Sequence, residues 1–190
     1  MAEPPRIDAS GYTYAHEHLC LDLSALKQDD DCRLDQHDLI CAEMKSLYAL
    51  GVRNLIEVTN RYMGRNPHVM LKMMRESGIN VIASTGYYQQ AFYPAHVAAA
   101  SVETLAQAMI NDIECGIDGT GLKAGVIAEI GSSAGVITPD EAKVFNAAAI
   151  AHRETGRPIS THTTLGTMGL EQLALLKKHG VDPARVVIGH

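Results

Sequence analysis

Several features that would identify whole classes of protein are missing from this sequence of 190 residues. It has no tryptophan, its 4 cysteines form no CxxC pair, and no apolar run is long enough to cross a bilayer. Lys and Arg total 16 against 22 Asp and Glu, so the net charge of −6 offers no basic surface for a phosphate backbone. These absences exclude a membrane protein and a secreted disulfide scaffold, and they argue against nucleic acid as a partner. Without an apolar leader segment, we expect a cytoplasmic protein with reduced thiols.

Short apolar runs alternate with longer amphipathic segments along the whole chain. The apolar runs, each bounded by turn residues, predict six strands: Tyr12–His18, Arg53–Thr59, Asn80–Thr85, Ala124–Ile130, Pro158–His162 and Val186–His190. The amphipathic segments predict five helices: Asp35–Leu50, Asn66–Ser77, Val102–Gly116, Pro139–Thr155 and Leu170–His179. Strands that alternate with helices indicate a parallel sheet with helical crossovers.

Two α/β architectures fit this alternation, an open doubly wound sheet and a closed (β/α)8 TIM barrel. An open sheet usually carries a glycine-rich phosphate-binding turn after its first strand, and here that strand ends in His16-Glu17-His18 instead. A complete barrel needs roughly 250 residues. We therefore predict one domain over residues 1–190, a TIM barrel truncated to about its first six βα units and so a fragment of a longer protein.

Metal-binding side chains occur at the ends of four predicted strands. His16 and His18 are two residues apart in the first strand, so both imidazoles point to the same face. Glu129 interrupts the apolar fourth strand, and His162 and His190 end the fifth and sixth. Because the carboxyl ends of all barrel strands meet at one rim, these five side chains are expected to converge there.

The donor set of four imidazoles and one carboxylate suits Zn²⁺ or another divalent transition metal. Five ligands exceed what one catalytic zinc takes, since such an ion keeps an open position. They predict two ions about 3.5–4 Å apart, with Glu129 as the bridge between them and a bridging hydroxide as the nucleophile.

The sequence resembles the phosphotriesterase-related family of the amidohydrolase superfamily. The segments that carry the resemblance are Gly11-Tyr12-Thr13, Ala15-His16-Glu17-His18-Leu19, Glu57-Val58-Thr59-Asn60, Thr85-Gly86-Tyr87-Tyr88, Ala128-Glu129-Ile130-Gly131, Thr161-His162-Thr163 and Gly189-His190. The resemblance implies a binuclear zinc hydrolase that acts on ester bonds of small molecules: phosphoester, carboxylic ester or lactone. It implies that His16 and His18 bind the more buried ion, and that His162 and His190 bind the more exposed one.

The sequence departs from the family pattern in two respects. True phosphotriesterases bridge their metals with a carboxylated lysine, where this sequence has Glu129, which points to the homology-protein subgroup and leaves the substrate open. The family also uses an Asp after strand eight as a metal ligand and proton acceptor. No eighth strand is predicted here, so the general base is missing from the chain and we expect residues 1–190 alone to be inactive.

Three further residues are weaker candidates for a substrate pocket. Tyr87 and Tyr88 end the third strand at the same rim, and Arg61 follows the second strand, where it would meet an anionic substrate group. Half-buried aromatic packing and a surface ion pair are the competing interpretations.

Two alternative functions remain open at this point. TatD-like metal nucleases also resemble the chain in their HxH pair, strand-four Glu and later histidines, although a net charge of −6 weighs against a DNA substrate. The other alternative is a non-catalytic remnant that binds zinc without turnover.

Overall fold

The computed structural model describes residues 5–190 of the chain. Its six strands are β1 (Tyr12–Glu17), β2 (Val52–Glu57), β3 (Asn80–Thr85), β4 (Ala124–Ser132), β5 (Ile159–Thr163) and β6 (Val186–Gly189). Its helices are α1 (Ser24–Lys27), α2 (His37–Ala49), α3 (Pro67–Ser77), α4 (His96–Ala99), α5 (Val102–Glu114), α6 (Pro139–Thr155) and α7 (Gly169–Lys178). All the predicted strands and helices are confirmed. The two four-residue helices α1 and α4 were not predicted, because so short a segment shows no full helical period.

The strands form one parallel sheet in the order β1-β2-β3-β4-β5-β6. Each strand therefore pairs with the next one along the chain, which is the arrangement of a half-barrel made of consecutive βα units. β1 ends one residue earlier than predicted, at Glu17, and its pairing with β2 is irregular between Tyr14 and Glu17. His18 thus lies just beyond the strand, and its orientation depends on contacts other than the sheet.

Helices cover one face of the sheet and enclose the main core. The side chain of Phe145 in α6 is fully buried there, together with Ile127 and Ile130 of β4 and Leu105 of α5. A smaller apolar cluster of Ile56, Val58, Val126 and Ala128 contains the alternate residues of β2 and β4, so it belongs to the opposite face. No helix within residues 5–190 is long and apolar enough to cross a membrane.

The N-terminus of α6 fastens two loops at the carboxyl edge of the sheet. Thr138 and Glu141 form a reciprocal capping box, with the Thr138 hydroxyl accepting from the Glu141 amide at 3.2 Å. The fully buried Glu141 carboxylate also accepts from the Ser133 hydroxyl at 2.7 Å and from the Gln90 amide at 3.2 Å. The loops after β3 and β4 are therefore tied to the same helix end.

Removal of the α6 cap is expected to destabilise the protein measurably. Thr138→Ala leaves the Glu141 amide without its acceptor, so we expect a loss of about 0.5–2 kcal/mol in the free energy of unfolding in urea. Ser46→Ala is the matched control, because that exposed hydroxyl only bonds back to the Ala42 carbonyl within α2. Equal stability of Thr138→Ala and the unmodified chain would contradict the capping role.

Candidate metal centre

The five predicted metal ligands meet at the carboxyl edge of the sheet. His16 lies near the end of β1, His18 follows that strand, Glu129 lies in β4, His162 lies in β5 and His190 follows β6. The Glu129 carboxylate is buried at 2 % exposure. Every one of the four imidazoles approaches it, at distances from a Glu129 carboxylate oxygen of 3.0 Å for His16, 3.9 Å for His18, 3.3 Å for His162 and 3.6 Å for His190.

The arrangement of the donor atoms fits a divalent cation. The ligand atoms of His16, Glu129 and His190 all lie within 4.8 Å of one another. His16 Nε2 is buried and makes no hydrogen bond of acceptable geometry, although a Glu129 oxygen is only 3.0 Å away. A buried nitrogen without a hydrogen-bond partner beside a buried carboxylate is what a shared metal ion would satisfy.

The electrostatics of the cluster keep its carboxylate ionised. Burial alone would raise the pKa of Glu129, but the imidazoles of His16, His162 and His18 beside the carboxylate outweigh burial and lower that pKa to about 2. The Glu129 carboxylate, 3.0 Å away, raises the pKa of His16 above its usual value. Burial lowers the pKa of His18, which favours the neutral imidazole that a metal requires.

Two side chains hold the outer nitrogens of the imidazoles. The Tyr88 hydroxyl lies 3.0 Å from His162 Nε2, which leaves Nδ1 facing Glu129. The Thr59 hydroxyl lies 2.8 Å from His18 Nδ1, which leaves Nε2 facing Glu129. Such hydrogen bonds select the tautomer and orientation of a metal-binding histidine. Tyr88 was among the predicted site residues, whereas Thr59 was not assigned a role by the sequence analysis.

The other two weak candidates belong to a separate cluster. The Tyr87 ring stacks on Tyr62 at a centroid distance of 5.6 Å. Arg61 pairs with Asp118 at 2.7 Å and lies 3.6 Å from Asp112. These described contacts join neither residue to the five-residue cluster, and they agree with the competing interpretations of aromatic packing and an ion pair. A contribution of Tyr87 or Arg61 to substrate binding stays a prediction.

Two buried polar residues behind the cluster were also missed. Glu57 at the end of β2 is fully buried, and its Oε1 accepts from the Leu19 amide at 3.1 Å. Gln172 of α7 is fully buried and donates to the Ser132 hydroxyl at 2.7 Å and the His162 carbonyl at 2.8 Å. Glu57 lies in a motif that carries the family resemblance, which was the only signal available. Gln172 lies in a helix with no pattern that marks it.

Comparison with known proteins gives one consistent result. The model of the phosphotriesterase family matches residues 4–190. The phosphotriesterase homology protein of Escherichia coli strain K12 is 67% identical over 183 residues, which cover 96% of this chain and 63% of that protein. The aryldialkylphosphatase of Saccharolobus solfataricus is 36% identical over 184 residues, covering 95% of this chain and 58% of that protein.

Solved structures give the same result. The crystal structure of the Escherichia coli phosphotriesterase homology protein, with phosphate in its active site, matches with a TM-score of 0.95 and 66% identity over 97% of this chain and 63% of that one. The lactonase Lmo2620 of Listeria monocytogenes matches with a TM-score of 0.88 and 27% identity over 95% of this chain and 61% of that one. The chain therefore spans about three fifths of the length of these relatives, and its six strands correspond to part of their TIM barrels.

The buried Glu57 carboxyl is expected to make stability depend on pH. Burial raises its pKa to about 8, despite hydrogen bonding to Thr59 and Leu19 that opposes the shift. Between about pH 4.5 and 8 the folded state keeps a proton that the unfolded chain has released, so stability falls as pH rises through this window, by up to about 1.4 kcal/mol per pH unit. In metal-free protein, Glu57→Gln should flatten that fall.

Urea unfolding from pH 4.5 to 8 in the presence of a chelator measures the effect. Glu154→Gln, which removes an exposed carboxyl from α6, should retain the pH dependence of the unmodified chain. Parallel pH profiles of Glu57→Gln and the unmodified chain would contradict a protonated Glu57.

Proposed function

This chain belongs to the phosphotriesterase family, and on that premise we propose that it forms the larger part of a binuclear zinc hydrolase that acts on small-molecule esters. The observation that carries the proposal is the convergence of four imidazoles, from three different strands and their ends, on one buried carboxylate. A histidine that is buried only as part of the core does not need to share a carboxylate with three other histidines. Metal binding is the explanation that we propose for four imidazoles around one carboxylate.

The ligand set supports two ions with one shared ligand. His16 and His18 would hold one ion, His162 and His190 the other, and Glu129 would be the ligand that the two ions share. Zn²⁺ suits imidazole and carboxylate together, and another divalent transition metal is an alternative. When bound, a pair of such ions polarises a phosphoryl or carbonyl oxygen and brings the pKa of water toward neutrality.

The residues of the chain have distinct tasks in this proposal. Glu129 stays ionised at all working pH values, since its pKa is about 2, so it balances cationic charge and does not transfer protons. The neutral imidazole of His18 offers its Nε2 lone pair at pH 7, because burial lowers its pKa. Tyr88 orients His162 and, at 7 % exposure, leaves little room for water behind that ring.

Three of the relatives support ester bonds as the substrate class. One is an aryldialkylphosphatase, one is a lactonase, and one holds phosphate in its active site. Phosphoesters, carboxylic esters and lactones all place a polarisable oxygen beside the bond that breaks. Family membership favours ester hydrolysis over the chemistry of a TatD-like nuclease. We also propose that the whole protein is a cytoplasmic enzyme that acts on small molecules. The proton acceptor expected after strand eight is not among the described residues, so activity is proposed for the whole protein.

Metal analysis of the purified chain tests the centre. We expect two equivalents of Zn²⁺ per chain, and we expect Glu129→Gln to retain less than one, because both ions lose the shared carboxylate. His68→Asn, which alters an exposed histidine of α3, should still bind two. Equal zinc content in Glu129→Gln and the unmodified chain would contradict the proposal.

The hydrolytic part of the proposal is tested in the whole protein with an aryl phosphotriester, an aryl carboxylic ester and a lactone. Hydrolysis of at least one should disappear on chelation and return with Zn²⁺. Hydrolysis that survives exhaustive chelation would show that the metals are not required.

A further inference from the structure

We propose that Asn60 is a positioning residue of the metal centre, because its side-chain amide holds a bulge in β4 that turns Glu129 toward the imidazoles. Asn60 lies three residues after the end of β2 and is fully buried. Its role in metal binding rests on the function proposed above, whereas its contact with the bulge does not.

The bulge is an extra residue in β4 beside Glu129. The register of β4 against β5 shifts between Ile127 and Ile130. In this interval β4 has two residues, Ala128 and Glu129, where β5 has one. Unequal pairing of this kind is a β-bulge, and bulges are common beside functional sites, where they redirect a side chain. Here the bulge lies at the proposed bridging ligand itself.

The bulge decides which face of the sheet Glu129 occupies. Ile127 and Ile130 are three residues apart, yet both are buried in the main core against the helices. Side chains alternate along a regular strand, so without the extra residue Glu129 would share a face with Ile127. Because of the bulge, Glu129 leaves the helix-covered face, and its carboxylate meets the four imidazoles instead.

Asn60 supplies a hydrogen bond to the backbone of this bulge. A residue inside a bulge loses the regular pairing of the sheet, so its buried backbone groups need partners from elsewhere. Asn60 Nδ2 donates to the Glu129 carbonyl at 3.3 Å. The bond links β2 to β4, although β3 lies between these strands in the sheet. It therefore fixes the peptide group that carries the carboxylate.

The other end of the same amide indicates that folding is not its main task. Asn60 Oδ1 is buried and makes no hydrogen bond within residues 5–190. A buried oxygen without a donor is unfavourable, so this atom offsets what Nδ2 contributes to stability. An apolar residue of similar size would remove this unpaired oxygen and leave another, that of the Glu129 carbonyl. The net gain from Asn60 is the placement of Glu129.

Further contacts hold the backbone of Asn60 in place. The Met63 amide donates to the Asn60 carbonyl at 3.1 Å. The Ser84 hydroxyl of β3 donates to the carbonyl of the preceding residue, Thr59, at 3.1 Å. The Ser84 carbonyl in turn accepts from the fully buried guanidinium of Arg65 at 2.9 Å. A braced turn thus presents the amide to β4.

The first test reads the Glu129 carbonyl in the metal-free chain by NMR. Glu129-Ile130 is the only Glu-Ile pair in the sequence, so ¹³C-carbonyl Glu with ¹⁵N Ile gives one coupled signal. Loss of a hydrogen bond moves a carbonyl ¹³C resonance upfield. We expect this shift in Asn60→Leu and in Asn60→Asp, which removes the donor while it keeps the shape. Asn111→Leu, which alters an exposed residue of α5 that bonds to Gln107, should leave the signal in place.

The second test is the affinity of the same variants for Zn²⁺, measured by competition with a chromophoric chelator. Loss of a hydrogen bond that orients a metal ligand typically weakens metal binding about 10–100-fold, which is the loss expected for both Asn60 variants but not for Asn111→Leu. In urea with a chelator, Asn60→Leu should unfold close to the midpoint of the unmodified chain, because one unpaired oxygen replaces another. A purely structural role would lower the midpoint and leave the affinity unchanged.

The two tests separate the failure of each proposal. An unchanged Glu129 carbonyl resonance in the Asn60 variants, or an unchanged affinity for Zn²⁺, would overturn the positioning role of Asn60. An unmodified chain that binds no Zn²⁺, while its carbonyl resonance responds as expected, would overturn the proposed metal centre and leave the contact with the bulge established. Should Asn60→Leu fail to fold, Asn60→Asp decides both tests.

Discussion

The carboxylate of Glu129 is a negative charge in an almost fully buried position, and the rest of the site is arranged around the need to compensate it. A buried charge without partners is strongly unfavourable, so its environment must supply positive charge or several hydrogen-bond donors. Here four imidazoles surround it. Neutral imidazoles compensate a carboxylate only weakly, whereas the divalent cations that we propose would compensate it much more strongly. The same arrangement therefore explains both the burial of the acid and the proposed chemistry.

The parallel sheet makes this arrangement possible. β1, β4, β5 and β6 run in the same direction, so side chains at their carboxyl ends meet although they are up to 174 residues apart in the sequence, from His16 to His190. The helices stabilise this edge from outside: Gln172 of α7 bonds to the His162 carbonyl, and the capped end of α6 holds the loops after β3 and β4. Precise placement of the imidazoles thus depends on contacts that are themselves far from the carboxylate.

The sequence was sufficient to predict the strands and long helices of the repeated βα units. Alternation of apolar runs and amphipathic segments predicted every strand and every long helix, and helix signals such as Thr138-Pro139 located α6 correctly. The convergence of the five proposed ligands could be predicted because strand ends of a parallel sheet share one edge. The residues that hold those ligands were not found, because Thr59 and Gln172 act through pairings between separate elements. Arg61 illustrates the same limit, since only the fold brings Asp118 close enough to pair with it.

The central claim is that Glu129 bridges two metal ions, and crystals of the chain grown with Zn²⁺ test it most directly. Anomalous diffraction at the zinc edge should give two peaks, one on each side of the Glu129 carboxylate, the first beside His16 and His18 and the second beside His162 and His190. A single peak, or none within bonding distance of Glu129, would contradict the account.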